Sequence, residues 1–390
     1  MNVTQPLDRK ELISMIEDAL KHFPIVALLG PRQAGKTTLA RAVFKGQVPL
    51  DRQMSQYFDL EDPESLARLH EAKLTLAPLS GLVVIDEIQR QANLFPLLRV
   101  LADREGIPAR FLILGSASPD LTRQGSETLA GRIKYIEVHP FTIAEVGSDN
   151  GASLWLRGGY PPSFLAATDR VSGDWREQYI RAFLERDLAM MGMKAPPITM
   201  RRLWSMLTHY HGQIANVSEI AGALDLSPTT VKRYIDILVD TFMLRRLAPW
   251  HVNIAKRQVK SPKIYLRDSG LLHRLINVTT HADLSVHPML GASWEGFALE
   301  ELIKAHKWRS EDCFFWAVHN QAEIDLVVAQ GHVLHGYEFK HTLSPKPTKS
   351  MMTALADLKL ESITVIYPGH ERRALAPQIV AVPLTALSHS

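Results

Sequence analysis

The stretch IVALLGPRQAGKTTL, from Ile25 to Leu39, combines a short apolar run, a glycine-containing loop and the first turn of a predicted helix. The apolar run is typical of a buried parallel strand, and the loop matches G-x-x-x-x-G-K-T at every position. Gly30 and Gly35 permit backbone angles and a close approach that a Cβ would prevent, so successive N–H groups can turn toward phosphate oxygens. The dipole of the following helix adds positive potential there. The sequence therefore predicts a site for a nucleoside triphosphate.

The loop itself supplies the predicted nucleotide-binding residues. Within it, the Lys36 amine would reach the β- and γ-phosphates, and the Thr37 hydroxyl would be a ligand of Mg²⁺. The alternative, a chance glycine turn before a helix, is disfavoured by the strand before the loop and the helix after it. The full predicted set is Gly30, Pro31, Arg32, Gln33, Ala34, Gly35, Lys36, Thr37 and Thr38.

A second apolar run, from Leu82 to Ile85, ends in the acids Asp86 and Glu87. A continuous apolar run of this kind predicts a buried parallel strand with both carboxylates at its C-terminal edge. We expect Asp86 to hold the water shell of Mg²⁺ opposite Thr37, and Glu87 to orient or deprotonate the attacking water. Two acids at the end of a strand are also common without function, but here they accompany an intact phosphate loop.

Two more residues are candidates for the reaction. Ser116 follows the apolar run Phe111 to Leu114 and would bond the γ-phosphate or its water, the alternative being a helix-capping serine. Arg132 precedes a predicted strand, Ile133 to Val138, and would stabilise transition-state charge in the nucleotide site of a neighbouring subunit. Arg123 is the second candidate for that role, and a plain surface arginine is the alternative.

Composition limits the class of protein. The chain has 390 residues, 46% of them hydrophobic and 22% charged, which indicates an ordinary globular protein of two or three domains. A net charge of +3 does not require a nucleic-acid partner. The single cysteine, Cys313, excludes an internal disulfide and a multi-cysteine zinc site. With a polar beginning and no apolar run near ~18 residues, the sequence predicts a cytoplasmic protein without a membrane segment.

The order of motifs resembles a family of prokaryotic AAA-type ATPases that join an ATPase module to a C-terminal domain of unknown function. The shared motifs are Gly-Pro-Arg-Gln-x-Gly-Lys-Thr-Thr, Ile-Asp-Glu-Ile-Gln, Gly-Ser, Leu-Ala-Gly-Arg and the later Gly-Gly-Tyr-Pro at 158–161. This resemblance runs along nearly the whole chain. It implies an α/β fold with an AAA-type P-loop core on a parallel sheet, ATP and Mg²⁺ as cofactors, and a homo-oligomer with nucleotide at its subunit interfaces.

Four domains are predicted: an AAA-type core at 1–150, a helical lid at 151–198, a winged helix-turn-helix at 199–280 and an α/β domain at 281–390. The lid, which rests on the family resemblance, would contain an amphipathic helix from Trp175 to Ala189. In the third domain, Ser218 would cap a helix from Glu219 to Leu224, and Ser227 would cap a second from Thr229 to Val239. A β wing would follow, between Leu244 and Leu266.

The segment from Pro228 to Lys263 is basic. It contains eight Lys or Arg and two Asp, a local net charge of +6 against +3 for the whole chain. Such a concentration favours contacts with phosphates, so DNA is the predicted partner of the winged helix. A winged helix used for protein contacts within the oligomer is the alternative. The eight basic residues are Lys232, Arg233, Arg245, Arg246, Lys256, Arg257, Lys260 and Lys263.

A second candidate site lies in the last domain. Glu338 and Lys340 are two positions apart on a predicted strand and so project from one face. Asp325, on the neighbouring predicted strand, can reach the same point, and Glu295 can approach from a helix. Two carboxylates beside a lysine suit a divalent metal and phosphodiester cleavage. These residues would form a second Mg²⁺ or Mn²⁺ site with Glu295, Asp325 and Glu338 as ligands.

This pattern resembles the D…E-x-K core of the restriction-endonuclease-like fold, with Asp325, Glu338 and Lys340 at its catalytic positions. The resemblance implies an additional DNA endonuclease. The alternative is a degenerate nuclease fold kept for packing or DNA contact, in an ATP-switched protein-interaction module that does not cut.

Overall fold

A computed structural model of the chain describes residues 7, 9–46, 55–106, 109–116, 128–190, 193, 195–251, 261–318 and 322–389. The chain divides into two compact units. The N-terminal unit comprises Gln5–Pro140 with Asp240–Phe242, and the C-terminal unit comprises Phe141–Val239 and Met243–Ser390. No helix in the described ranges is long and apolar enough to cross a membrane. The predicted boundaries at 150, 198 and 280 stay predictions.

The N-terminal unit is built on a five-stranded parallel sheet in the order β2-β3-β4-β1-β5. Its strands are β1 (Ile25–Gly30), β2 (Gln56–Asp59), β3 (Leu82–Asp86), β4 (Arg110–Ser116) and β5 (Ile133–Glu137). Its helices are Lys10–His22, Lys36–Gly46, Pro63–Arg68, Ala72–Leu76 and Leu94–Ala102, with a 3₁₀ turn at Ile88–Gln91. The predicted parallel sheet is confirmed.

Helices cover both faces of this sheet. Val26 lies in an apolar cluster with side chains of the helices Lys10–His22 and Lys36–Gly46. Its neighbour Ala27 lies in a second cluster with side chains of the helix Leu94–Ala102. Because alternate residues of a strand face opposite sides, a strand buried on both sides must be apolar throughout. This is why β1 and β3 are recognisable in the sequence as continuous apolar runs.

The strand order determines which residues meet at the edge of the sheet that follows β1. Gly30 is paired in register with Ser116 of β4, and Asp59 of β2 with Asp86 of β3. All five strands are parallel, so their C-terminal ends share one edge, where ligands bind in open α/β sheets. The phosphate loop and the two acids are therefore brought to the same side of the unit.

The C-terminal unit contains a nine-stranded sheet in the order β13-β14-β12-β11-β10-β9-β7-β8-β6. The strands are β6 (Gln213–Ile214), β7 (Leu244–Pro249), β8 (Lys263–Leu266), β9 (Cys313–Val318), β10 (Ala322–Gln330), β11 (Val333–Phe339), β12 (Ser362–Tyr367), β13 (Arg373–Ala376) and β14 (Ile379–Pro383). Its α-helices are Ile143–Val146, Gly151–Arg157, Pro161–Phe164, Asp169–Ala182, Leu188–Met190, Pro197–His209, Val217–Leu224, Pro228–Asp240, Ser269–Leu275, His281–Val286, Leu290–Ala305 and Lys349–Leu358. A π-helical turn spans Phe183–Asp187, and 3₁₀ turns span Ser148–Asn150, Ser310–Asp312 and Leu384–His389.

This sheet runs through two of the predicted domains. β7 pairs with β9 in parallel, Ala248 opposite Phe314 and Pro249 opposite Phe315. The strands β6, β7 and β8 of region 199–280 therefore share one hydrogen-bonded sheet with the strands of region 281–390. Backbone hydrogen bonds between strands bind the two regions together.

Two consecutive helices occupy the predicted helix-turn-helix segment. The first is Val217–Leu224, and its cap is Asn216, whose side chain accepts from the Glu219 N–H at 3.3 Å. The predicted cap, Ser218, is wrong because the helix begins one residue before it. The second, Pro228–Asp240, has the predicted cap at Ser227, whose hydroxyl accepts from the Thr230 N–H. The apolar face of the two helices is buried, at Ile220, Ala221, Leu224, Val231, Ile235 and Leu238.

The predicted lid helix begins earlier than expected. Thr168 caps a helix that runs from Asp169 to Ala182 and continues through the π-helical turn Phe183–Asp187 to Met190. The Gly-Gly-Tyr-Pro segment before it has a packing role. A Cβ on Gly158 would lie 2.2 Å from Asp268 Oδ1, and the Gly159 N–H donates to Asp268 Oδ2 at 2.9 Å.

Candidate functional site

The phosphate loop leads directly from β1 into the helix Lys36–Gly46. Gly30 has a φ of +154°, and a Cβ there would lie 2.2 Å from the carbonyl oxygen of Val138. Gly35 has a φ of +94°, which also favours glycine. Glycine is thus needed at position 30 also because the chain beyond β5 passes too close to leave room for a Cβ. The motif alone does not reveal this reason.

Lys36 is held beneath the loop. Its Nζ donates to the carbonyl oxygens of Gly30 and Pro31, both at 2.8 Å, and its side chain is buried. Burial lowers the pKa of Lys36 to about 8, against the opposing effect of the carboxylates of Glu87 and Asp86. A buried ammonium whose hydrogen bonds, among the residues that the structure describes, go to two carbonyls is a strong attractor for phosphate oxygens.

Asp86 and Glu87 lie at the end of β3, as predicted. Asp86 is buried and accepts hydrogen bonds on both oxygens, from the Tyr57 hydroxyl at 2.8 Å and the Glu87 N–H at 3.0 Å. Glu87 has a left-handed backbone with a φ of 56°, and Gln89 donates to its carboxylate. Burial raises the pKa of Glu87. A non-glycine residue in this region of φ is a strained conformation of the kind that concentrates at functional sites.

Thr37 completes this group at the first turn of the helix, where it is half-buried. A hydroxyl and a carboxylate are oxygen donors of the kind that Mg²⁺ takes, so the residues present fit the predicted metal. Thr38 is exposed on the outer side of the same turn, and Arg32 donates to Glu61 at 3.1 Å.

Two residues of this site carry no motif and were not predicted. Arg9 is buried and donates to the carbonyl oxygens of Ala34 at 3.0 Å and His139 at 2.8 Å. It therefore ties the loop to the chain beyond β5. Tyr57 orients the Asp86 carboxylate. Both act through tertiary contacts, for which a single sequence contains no signal.

Ser116 and Arg132 lie at opposite ends of the sheet. The backbone of Ser116 is beside that of Gly30, at the loop. Arg132 precedes β5, so the length of a strand, about 20 Å, separates it from the loop of its own chain. It forms a two-pronged ion pair with Asp103, at 2.6 and 2.8 Å. Its role in a neighbouring subunit stays a prediction, and Arg123 lies outside the described residues.

In the C-terminal unit, the predicted acids do converge. Asp325 Oδ2 accepts from the Phe339 N–H at 3.2 Å, and Lys340 Nζ contacts Glu338 Oε2 at 2.6 Å. Burial, reinforced by the nearby Asp325 carboxylate, raises the pKa of Glu338 to about 8 and that of Glu295 to about 7. Lys340 lies one residue beyond β11.

A lysine that was counted with the DNA-binding surface lies among these acids. Lys263 is buried, and its Nζ is 3.7 Å from Glu295 Oε1 and 3.6 Å from Asp325 Oδ1. It also forms an ion pair with Glu323. Burial acts to lower the pKa of Lys263, but the three carboxylates outweigh it and raise the pKa. Within the described ranges, no group of three or more His, Cys, Asp or Glu is arranged to hold a metal ion.

The predicted cationic surface therefore has fewer exposed charges than the eight Lys and Arg counted in the sequence. Besides Lys263, Arg245 is buried against Glu300, and Arg246 pairs with Asp236. These three charges are compensated within the chain, so the predicted excess of positive charge, for which all eight basic residues were counted, is smaller than +6 at the surface. Lys232 and Arg233 are exposed on the helix Pro228–Asp240. The other three, Lys256, Arg257 and Lys260, lie outside the described residues.

Three family matches divide the chain. Residues 22–147 match an AAA domain (AAA_14), residues 149–282 a domain of unknown function (DUF8612), and residues 290–387 another domain of unknown function (DUF4143). Residues 22–147 are thus an AAA-type P-loop ATPase domain, in agreement with the parallel sheet and the loop.

Among solved structures, the chain is similar to a Walker-type ATPase of Pyrococcus abyssi, with 15% identity and a TM-score of 0.47. That match covers 70% of this chain and 96% of the other. Cdc6p from Pyrobaculum aerophilum matches with 11% identity and a TM-score of 0.30, over 71% of this chain and 96% of that one. At these scores neither likeness supports a statement about function.

Two relatives match over almost the whole chain. The uncharacterized proteins Rv2008c of Mycobacterium tuberculosis and Mb2031c of Mycobacterium bovis are each 48% identical over 377 residues. Each match covers 97% of this chain and 84% of the relative. This protein therefore belongs to the family of these mycobacterial proteins, and in this chain an AAA-type P-loop ATPase domain accompanies two domains of unknown function.

Proposed function

We propose that this protein hydrolyses ATP, with Mg²⁺, at the loop between β1 and the helix Lys36–Gly46. The observation that carries the proposal is the buried Lys36 amine, bonded to two loop carbonyls beside the carboxylates of Asp86 and Glu87. An ammonium with lowered pKa and two acids at one edge of a parallel sheet is an arrangement for binding a triphosphate and activating water.

Five side chains take part in the proposed reaction. Lys36 binds the β- and γ-phosphates, while Thr37 and Asp86 would hold Mg²⁺, which supplies positive charge beside those phosphates. Glu87 orients the attacking water and takes up its proton, a task that suits a carboxylate whose pKa is raised. Ser116 would bond the γ-phosphate or its water.

The test is ATP hydrolysis by the purified protein with Mg²⁺, compared with the variant Glu87→Gln. We expect the variant to bind ATP as the parent does and to hydrolyse it at least about a hundredfold more slowly, the range of a lost general base. Because the substitution keeps the size and removes only the charge, an unchanged rate would show that Glu87 does not act on the water.

The role that we propose for Arg132 depends on assembly of the protein into a homo-oligomer. In a homo-oligomer with nucleotide at subunit interfaces, Arg132 would reach the γ-phosphate bound by the next subunit. Its distance from the loop of its own chain is the reason for placing it there. Mixing Arg132→Ala subunits with Lys36→Ala subunits tests this, since a mixed assembly would regain some sites with both residues. No recovery of hydrolysis in such mixtures would count against Arg132.

We further propose that the protein acts on DNA in the cytoplasm through the region 199–280. The helices Val217–Leu224 and Pro228–Asp240, followed by the antiparallel pair β7 and β8, are the elements that a winged helix needs. Lys232 and Arg233 are its exposed cations on the second helix. The discriminating measurement is whether duplex DNA raises the ATPase rate at moderate salt. A rate indifferent to DNA would favour a surface for protein contacts.

The C-terminal unit has two candidate functions. One is a metal-dependent endonuclease with a second Mg²⁺ or Mn²⁺ at Glu295, Asp325 and Glu338 and with Lys340 beside the scissile phosphate. The other is a nuclease-like domain that does not cut, within an ATP-switched interaction protein. The ion pairs of Lys263 favour the second, since they already satisfy acids assigned to a metal. Incubation with linear, nicked and branched DNA and Mn²⁺ separates the two by the presence of cleavage.

A further inference from the structure

The acids of the C-terminal unit surround a side chain that the resemblance to a nuclease does not account for. Lys263 projects from β8, whereas Glu295 belongs to the helix Leu290–Ala305 and Asp325 to β10. The Lys263 side chain is only 3% exposed, and its Nζ also lies 5.6 Å from the centre of the Phe315 ring. Three elements of the fold thus converge on one ammonium group.

The groups around this ammonium make it a counter-ion. Glu323, Glu295 and Asp325 each offer it a carboxylate oxygen. Tyr265, two positions along β8, donates its hydroxyl to Glu295 Oε1 at 2.7 Å and fixes that carboxylate. Glu295 and Asp325 are largely buried, whereas Glu323 is partly exposed. Burial of two carboxylates without a cation would cost several kcal/mol each, and the lysine offsets that penalty.

A divalent ion does not fit the residues present here. An ion bound by Glu295 and Asp325 would lie within a few ångströms of both carboxylates, and Lys263 Nζ already lies 3.7 and 3.6 Å from them. A 2+ charge and an ammonium at such separations repel strongly at low dielectric. Lys263 therefore already supplies the positive charge that a metal ion would bring to these carboxylates.

We propose that Lys263 is the permanent counter-ion of the acids Glu295, Glu323 and Asp325, and that this cluster consequently takes no divalent cation. The lysine comes from the region that matches one domain of unknown function and its partners from the region that matches the other. The cluster is thus an ionic connection between those two regions. It is independent of ATP hydrolysis at the phosphate loop, so the two proposals fail separately.

The test is to count, by electron paramagnetic resonance, the Mn²⁺ ions that the whole 390-residue chain binds without nucleotide. The parent and Asp325→Asn should bind the same number of ions at up to millimolar Mn²⁺. One ion more in the parent than in Asp325→Asn would overturn the proposal and restore the metal site. This comparison does not depend on any variant of Lys263.

Lys263→Met supplies the second arm, because it keeps the length of the side chain and removes its charge. We expect it to gain one Mn²⁺ site that the double variant Lys263→Met/Asp325→Asn lacks. We also expect it to melt at a lower temperature than the parent without Mn²⁺ and to recover partly when Mn²⁺ is added. A folded Lys263→Met protein that gains no Mn²⁺ site would contradict the proposal, as would one that melts like the parent.

Discussion

The buried amine of Lys36 should make ATP binding fall as the pH rises above 8. Burial holds the pKa of this amine at about 8, below the ordinary lysine value of 10.5. The charged fraction in the nucleotide-free protein is therefore about 90% at pH 7 and about 10% at pH 9. A triphosphate binds the charged form, so binding above pH 8 requires the uptake of one proton.

The magnitude follows from this linkage. Above pH 8 the dissociation constant of ATP should rise about tenfold per pH unit, which is about 1.4 kcal/mol of binding free energy. The rise ends at the pKa that the amine reaches with phosphates beside it. Nothing comparable is expected between pH 6 and 7.5, where the amine is already charged.

Isothermal titration calorimetry with a slowly hydrolysed ATP analogue, from pH 7 to 9.5 at constant ionic strength and Mg²⁺, measures this slope. Lys36→Arg is the matched control, because a guanidinium stays charged across the range. Its affinity should be lower but nearly independent of pH. A constant affinity in the parent up to pH 9.5 would refute the reasoning, and so would an equal slope in Lys36→Arg.

Without nucleotide, the free energy of unfolding should rise with pH, whereas the affinity for ATP falls. Because the pKa of Lys36 is lower in the folded chain, the unfolded chain binds more protons between pH 8 and 10, and stability rises with pH in that window. Between pH 8 and 10 the rise attributable to Lys36 is about 2 kcal/mol. It appears as the difference between the parent and Lys36→Met in urea unfolding at each pH, and a difference that is constant with pH would contradict it.

Three other changes have definite expected outcomes. Gly30→Ala should abolish ATP binding and destabilise the N-terminal unit, since its Cβ would lie 2.2 Å from a carbonyl oxygen, and retained binding in a titration would contradict this. Lys232→Ala with Arg233→Ala should weaken DNA binding for all sequences and lower the slope of log affinity against log salt by about 2, so an unchanged slope would favour protein contacts. Glu300→Gln should lower the free energy of unfolding by about 3 kcal/mol, because it leaves Arg245 buried without its carboxylate. In the parent, where the pKa of Glu300 is lowered to about 2, that contribution should disappear as the pH falls from about 4.5 toward 2, which acid titration of the unfolding free energy measures.

The sequence by itself determined the parts of this protein whose chemistry is local. The loop from Gly30 to Thr38 is recognisable because its backbone angles and its lysine must follow one another at fixed positions. The runs that became β1 and β3 are recognisable because a strand covered on both faces has to be apolar at every position. Asp86 and Glu87 follow directly from the end of such a strand.

The ends of helices were harder to predict from the sequence, because local preference alone does not select one capping residue. Ser218 and Asn216 are both good capping residues, and their positions differ by only two residues. The structure selects Asn216, because the helix begins at Val217 once its apolar face packs on the core. Local preference leaves such choices open, and packing decides them.

Only the tertiary structure decided which charges compensate one another. Arg9 meets the His139 carbonyl 130 positions away, and Arg245 meets Glu300 55 positions away. Lys263 was counted with the exposed cations of a wing, yet it lies among the acids Glu295 and Asp325. A charged residue is the same letter in the sequence whether its side chain faces solvent, a phosphate or a buried partner, so the sequence does not distinguish these environments. Its role is determined by the partner that the fold brings within about 4 Å, because electrostatic free energy at low dielectric depends on that distance and on burial.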